Sequence, residues 1–593
     1  MDNFKTIKGG EFMVRETKAA DVFIPEDFDE EQQMIAQTCD DFLEAEVLPN
    51  LDKIDAQEDG LMNDLLEKAG ELGLLGIAIP EEYEGFGQSF VTNQIAAEKL
   101  GAGYSFAVAY SCHTGIGSMP ILYYANEEQK QKYLPRLASG EWKGAYCLTE
   151  PGAGSDANSG KTKAVLSDDG KHYILNGQKM WITNSGFANV FTVFAKIDAD
   201  RVLSAFIVER DFPGISFNPE EKKMGIKGSS TRQIFFNDCL VPAGNLLGAR
   251  GEGFRIALNI LHMGRIKLGS NVLGAAKLAV RQSVNYANER KQFGSLISTF
   301  GSIKYKLAEQ VIKTFTTESA VYRASKNVDE AAEAYLSECS KEKAMVTAYA
   351  QFAVEAAILK VFGSESLDYV VDEAVQIHGG MGYSSEMPVE RGYRDSRINR
   401  IFEGTNEINR ILVVDTLLKR GARKDFDLFG VAEEWAHNLD GALKLKNGSD
   451  EYYDRKAFFV GKFKKLALIL IHILSSKYQR KLVYEQELIN HLSDIIMNLY
   501  VSESTMLRVQ KLEGKKSADE MGLYRDILDV NIFDAANILR NHAINILHST
   551  EELQDLEKLE TVVAHLTMTE PVNTKSARRR IADKLIEDNA YKF

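Results

Sequence analysis

The sequence predicts an α+β fold in four blocks: an N-terminal helical domain, a middle β-domain, a C-terminal four-helix bundle and an additional helical C-terminal domain. Three observations carry this expectation. Helix start and stop signals punctuate residues 28–142, whereas short runs of β-branched and aromatic residues with Asp-Gly, Asn-Gly and Pro-Gly turns fill the next hundred. Four long amphipathic segments then follow in succession, the pattern of a bundle. At 593 residues the chain is too long for one compact core, so several domains are expected.

Residues 1–27 read as an arm ending at Pro25. In the block 28–142, Asp29 starts a helix with Glu30 and Glu31 in its first turn, favourable for the helix dipole, and Pro49 lies beyond its end. Leu61–Leu72, Asn93–Leu100 and Glu127–Leu137 continue the helical pattern. The block 143–247 carries the strand signals at Tyr173, Leu175, Val190–Phe194, Ala205–Val208 and Ile234–Phe236. In 248–425 the expected helices are Phe254–Asn288, Ile303–Lys326, Glu330–Phe362 and Ser364–Ile377, with a last one over Glu407–Lys419. The block 426–593 is helical again; Leu488, Leu492, Ile495, Ile496 and Leu499 form a stripe at helical spacing, and Gly514–Ser517 breaks the run.

Composition narrows the function class. Hydrophobic residues at 45% and charged residues at 26% describe an ordinary globular protein. A net charge of −15 with a pI near 5.4 argues against a nucleic-acid surface. Cys39, Cys112, Cys147, Cys239 and Cys339 are scattered, so neither a disulfide framework nor a metal site is expected. The segment Met1–Ala20 lacks the apolar core of a secretory signal and is too acidic for a transit peptide; the expectation is a cytoplasmic protein. The apolar run Leu466–Leu474, flanked by Lys462, Lys464, Lys465, Lys477, Arg480 and Lys481, is too short to span a bilayer. It reads either as a buried bundle helix or as an interfacial anchor that would put the protein peripherally at a membrane.

The chemistry centres on Arg397–Ile408. Glu403 lies between Ile401-Phe402 and a Gly404-Thr405-Asn406 turn, and Thr405 or Asn406 can cap the helix that follows. A carboxylate on a short leash beside apolar side chains is the setting that raises a Glu pKa towards a general base; a solvated Glu at a helix start is the alternative.

Its company decides between them. Tyr146-Cys147-Leu148-Thr149-Glu150-Pro151-Gly152-Ala153-Gly154-Ser155-Asp156, Lys179–Asn184, Arg290-Lys291-Gln292-Phe293-Gly294 and Gln376-Ile377-His378-Gly379-Gly380-Met381-Gly382-Tyr383 precede Glu403 in that order. With the Phe-Glu-Gly-Thr segment they make residues 28–420 strongly resemble the acyl-CoA dehydrogenases, and the helical tail suggests the very-long-chain type. The resemblance implies a β-barrel-like middle domain and an FAD-dependent oxidoreductase of fatty-acid β-oxidation. Such an enzyme converts saturated acyl-CoA to trans-2-enoyl-CoA, with Glu403 taking the α-proton and flavin N5 the β-hydride. In the family, the base's own N–H and a flavin ribityl hydroxyl stabilise the enolate.

By the same resemblance, Tyr146, Leu148, Thr149, Ser155, Trp181, Thr183, Thr405 and Glu407 are FAD contacts, although Glu407 stands where Gln or Asp is usual. Arg290, Gln292, Phe293, Gln376, Gly379 and Gly380 reach FAD across a subunit interface, so a homo-oligomer follows, with a dimer favoured by the tail. Ser155, Arg265 and Gly404 are implied substrate contacts. Gly264 occupies the family's alternative base position, which leaves Glu403 unopposed and points to straight-chain substrates. The small residues Ala109, Ser111, Cys112, Thr114 and Gly115 lie where the family closes its acyl tunnel, which suggests long acyl chains. An electron-transfer flavoprotein is the implied acceptor. The motifs leave open an acyl-CoA oxidase, and a flavin-bearing assembly or membrane scaffold.

Overall fold

The computed structural model describes residues 6–593; the first five residues of the expected N-terminal arm lie outside the described part. Asp29 caps α1 (Glu30–Phe42) by accepting from the Gln32 N–H, while the Gln32 side chain accepts from the Asp29 N–H. Helices α2 (Leu61–Glu71), α3 (Phe90–Gly101), α4 (Ser105–Ser111) and α5 (Glu127–Ser139) complete the first helical layer. A π-helical turn, Cys112–Gly117, continues α4.

The middle block is one mixed sheet. Its strands are β1 (Gly144–Cys147), β2 (Lys163–Leu166), β3 (His172–Thr183), β4 (Val190–Ile197), β5 (Ser204–Glu209), β6 (Ile215–Phe217), β7 (Thr231–Pro242) and β8 (Leu246–Leu247). They run in the order β6-β7-β3-β2-β4-β5-β8, with β1 pairing parallel to β4. The sheet curls around one core of Leu175, Phe191, Val193, Phe206, Ile234 and Val241. The register of β3 against β7 slips between Lys179 and Ile182, a bulge that matters below.

After the sheet come α6 (Gly253–Glu289), α7 (Gly301–Tyr335), α8 (Lys341–Gln351), α9 (Ala353–His378) and α10 (Asn406–Ala422). Two expected helix breaks are absent. Helix α7 runs through 327–330 because Asp329, though poor for a helix interior, accepts from the N–H groups of Phe90 and Val91 and so caps α3. Helix α9 runs through Gly363 because this glycine makes a close crossing: a Cβ there would lie 3.1 Å from Val272 Cγ2 and 3.6 Å from Gly269 Cα. The break falls instead at Leu336–Ser340, where Ser340 caps α8.

Helices α11 (Tyr452–Tyr478), α12 (Gln486–Leu512), α13 (Ala518–Ser549) and α14 (Thr574–Asp588) build the extension. The stripe Leu488, Leu492, Ile495, Ile496 and Leu499 is buried. So are Leu466, Leu468, Ile469, Leu470, Ile471 and Leu474, which makes the apolar run a buried bundle helix, the first of its two readings. Among the described residues, no single helix is long and apolar enough to cross a membrane. The N-terminal arm threads between bundle and extension. Phe12 packs edge-on against Tyr500, and Glu26 and Asp27 meet Arg508, Lys511 and Lys515.

Candidate active site

Helix α10 starts at Asn406, three residues after Glu403, so the base candidate sits on a turn rather than in a helix. Thr405 is the cap: its hydroxyl accepts from the Ile408 N–H. Reaching that cap puts Glu403 at φ 59° and Gly404 at φ 81°, and only the second is easy for its residue type. The strained turn is clamped by its carbonyls. Arg265 Nε donates to the Glu403 carbonyl at 3.1 Å, and Asn409 Nδ2 donates to that of Gly404 at 2.7 Å.

The carboxylate above the clamp is different. Glu403 Oε2 is buried without a protein hydrogen-bond partner. Burial pushes the Glu403 pKa up to about 7, against the opposing pull of Arg265 and Lys360. Room for the carboxylate comes from Gly264, where a Cβ would stand 3.1 Å from Glu403 Oε2. Tyr146 contributes a second unpartnered buried oxygen nearby, its phenol held protonated by burial and by Glu403. Glu403, Phe402, Gly264 and Thr183 line one cavity, which continues along α6 past Leu268, Val272 and Ala279 to Gln282.

A buried ion pair shapes the second wall. Lys179 Nζ meets Glu150 Oε1 at 2.7 Å and the Leu148 carbonyl at 3.2 Å. The Glu150 carboxylate also accepts from the N–H groups of Lys161 and Thr162. These bonds pin the loop after β1, leaving Ser155 exposed and Gly152 and Gly154 with nothing within 4 Å of an added Cβ. The β3 bulge turns Trp181 outward at φ 60°, with 54% of its surface exposed. An outward indole face, Thr183 at the cavity wall and an open glycine loop, with the unpartnered Tyr146 hydroxyl nearby, fit a planar aromatic cofactor with a phosphate arm.

A second group of expected cofactor residues lies elsewhere. Arg290 follows α6, 26 residues beyond Gly264 in the numbering, which is about 39 Å along the helix axis. Gln292 and the 95%-exposed Phe293 sit on a small hairpin, Lys291–Gln292 with Ser295–Leu296. Gln376, Gly379 and Gly380 are exposed at the end of α9. One chain therefore gathers Tyr146, Leu148, Thr149, Thr183, Thr405 and Glu403 but does not bring Arg290 or Gln376 to them.

Three contributors escaped sequence reasoning. Lys360, on α9, donates to Asn406 Oδ1 at 2.6 Å and acts on Glu403 from below; burial lowers its own pKa to about 7. Asn409 and the Glu150–Lys179 pair act through carbonyls and N–H groups. None of these side chains carries a local signal, because their partners are distant in sequence or are backbone atoms. Arg265, expected on the substrate, is only 3% exposed and holds the base turn, and its guanidinium also meets His262 Nδ1 at 3.2 Å. Burial and Arg265 push His262 down to about 3, so it is a neutral acceptor, in keeping with a structural role.

Comparison with known proteins matches three consecutive family models: the acyl-CoA dehydrogenase N-terminal domain at residues 29–141, the middle domain at 145–239 and the C-terminal domain at 251–418. The chain belongs to the acyl-CoA dehydrogenase family. A further acyl-CoA dehydrogenase C-terminal domain model matches residues 462–564, in the extension. A probable acyl-CoA dehydrogenase of Bacillus subtilis (strain 168) is 43% identical over 588 residues, covering 98% of each chain. The mitochondrial very long-chain specific acyl-CoA dehydrogenase of Rattus norvegicus is 36% identical over 83% of this chain and 76% of its own length. Among solved structures, an acyl-CoA dehydrogenase complexed with FAD from Bacillus anthracis superposes with a TM-score of 0.96 at 45% identity, covering 99% of this chain and all of that one. Butyryl-CoA dehydrogenase from Megasphaera elsdenii covers 66% of this chain with 99% of its own, at 35% identity and a TM-score of 0.60. This acyl-CoA dehydrogenase is thus an FAD-dependent oxidoreductase.

Proposed function

We propose that the enzyme dehydrogenates long-chain saturated acyl-CoA to trans-2-enoyl-CoA in fatty-acid β-oxidation, with Glu403 as the base. One observation carries this reading. Glu403 presents a buried, unpartnered carboxylate oxygen, poised near neutral pH, to a long and largely apolar cavity. A thioester α-proton is too weakly acidic for an ordinary Glu, and a base raised to about 7 removes about 3 kcal/mol of that mismatch. The clamp from Arg265 and Asn409 holds the base in place before substrate arrives, so little reorganisation is needed. Bound FAD supplies the hydride acceptor that no side chain provides.

Trp181 and Thr183 would meet the flavin ring; Thr149 and Ser155 would meet its polar edge and phosphate arm. Arg290, Gln292, Phe293, Gln376, Gly379 and Gly380 are too far from that wall in one chain, which supports a homodimer whose second copy brings them to FAD. Substrate length is read from the cavity. Its lining residues follow α6 from Gly264 to Gln282, about 27 Å of axis, which supports a long rather than a short acyl chain. Reoxidation by an electron-transfer flavoprotein, and a cytoplasmic location, complete the proposal.

Anaerobic mixing of the FAD-loaded enzyme with palmitoyl-CoA tests it. The flavin absorbance should bleach in the wild type and persist in Glu403→Gln. Equal bleaching in both would remove Glu403 from the role, and no bleaching with any acyl-CoA would overturn the reaction itself.

A further inference from the structure

The acyl cavity contains a charged group that the dehydrogenation does not use. Lys267 lines it, three residues beyond Gly264 on α6, and is only 6% exposed. Its Nζ donates to Thr114 Oγ1 at 2.5 Å, and Thr114 spends its own proton on the Tyr110 carbonyl. An ammonium has three N–H donors, and Thr114 takes one. The Tyr110 ring lies beneath the nitrogen, 5.3 Å to its centroid.

Several inward-facing lysines of this chain are neutralised by carboxylates, while Lys360 and Lys462, like Lys267, are buried with neutral acceptors, the Asn406 side chain and the Met568 carbonyl. Lys143 meets Glu67, Lys179 meets Glu150, Lys277 meets Glu98 and Lys456 meets Asp529. Lys267 has no carboxylate partner among the described residues. Its titratable neighbours are the Cys112 thiol, which burial holds protonated, and His113, which burial holds neutral, so neither is a counter-ion. Burying a cation without a partner is costly, and a methionine would fill the same wall without that cost. The space beside the nitrogen is also open: Gly115 has no side chain there, and an added Cβ would lie 3.6 Å from Nζ.

We propose that Lys267 forms a polar subsite in the acyl cavity, which binds a hydrogen-bond-accepting oxygen carried on the acyl chain beyond Cβ. The ligand class is an acyl thioester bearing a carboxylate or a hydroxyl. Lys267 lies about 4.5 Å along the helix from Gly264, which puts the bound oxygen about three to four carbons beyond the α-carbon, near chain position five or six. The subsite rests on the acyl-CoA reading above and refines it: plain chains pass Lys267 into the deep part of the cavity, and oxygenated chains are held at it.

The test uses the FAD-loaded enzyme and three acyl-CoA series of about six carbons: unsubstituted, ω-carboxy and hydroxy. The readout is kcat/KM for flavin reduction in the wild type and in Lys267→Met. The ratio of oxygenated to unsubstituted substrate should fall about tenfold or more in K267M. Loss confined to the ω-carboxy series identifies an anion site, and loss in the hydroxy series a neutral one. An unchanged ratio in both overturns the proposal. Should K267M fail to load FAD, the wild type and K267R decide. The ω-carboxy preference should decline above a pH of about 7 in the wild type, where Lys267 loses its proton, and persist in K267R. Glu403 and Asp395 also titrate on the cavity walls near 7. Glu403 acts on both substrates and cancels in the ratio, and Asp395 is shared by both enzymes. A flat wild-type ratio overturns the proposal. Failure of the whole acyl-CoA reading is separate, because it would abolish bleaching by the unsubstituted chain as well.

Discussion

Two regions of this molecule bury charge, and they do so in opposite ways. Where the extension meets the bundle and the N-terminal arm, a network of buried carboxylates is answered by cations. Arg323 meets Glu503, which also meets Lys464; Arg508 bridges Glu318 and Glu26; Lys277 reaches Glu98 and Glu318. Burial alone would push Glu318 and Glu503 up, yet their cationic partners hold both below the usual carboxylate range. At the base turn the cations are spent elsewhere. Arg265 binds a carbonyl and Lys360 binds Asn406, so burial wins and Glu403 rises to about 7. Paired charge serves assembly and unpaired charge serves chemistry. The difference is set by which atoms the nearby cations grasp, since both regions contain arginine and lysine.

The sharpest way to break this contrast is Glu403→Gln, which keeps the shape and removes the base. Stopped-flow flavin reduction by palmitoyl-CoA should slow by ~10²–10⁴-fold or more, with little loss of thermal stability. Arg508→Met is the mirror experiment at the paired region. It leaves Glu318 with Lys277 alone and Glu26 without its cation, and should cost about 3 kcal/mol in chemical denaturation, because one buried carboxylate loses one of its two counter-ions and a half-buried one loses its partner. Acid should expose the same clamp. Glu318 and Glu503 are depressed, so their contribution is present above the unfolded carboxylate pKa of about 4.5 and is lost as pH falls below it. A midpoint insensitive to pH between about 5 and 3 would contradict the pairing.

Gly264→Ala probes the space that keeps the base unpaired. The added methyl would press on Glu403 Oε2, and kcat should fall roughly tenfold or more while the fold is kept. The smallest effect concerns pH. Below about 7 the Glu403 carboxyl is protonated and cannot accept a proton, so the rate of flavin reduction should rise with pH through that value. Lys360 pulls the Glu403 pKa down, so Lys360→Met should move this limb to higher pH by a fraction of a unit. A limb that stays in place would show that Lys360 acts only through Asn406.

Much of this was legible in the sequence, and the reason is locality. The Asp29 cap, the Thr405 cap, the stripe on α12 and the β-rich interval all depend on residues a few positions apart, and the structure places them as the patterns indicate. The ordered motifs likewise carried the family. What only the tertiary structure decided involves distant partners. Gly363 reads as a helix break until α6 is laid across it. Asp329 reads as a poor helix residue until it caps α3. The Leu466–Leu474 run could face lipid or core until helices cover it. Above all, Glu403 owes its character to Arg265, 138 positions away, to Gly264 beside it and to Lys360. Periodicity and caps act over one turn of helix, whereas desolvation and charge pairing are summed over everything the folded chain brings within a few ångströms.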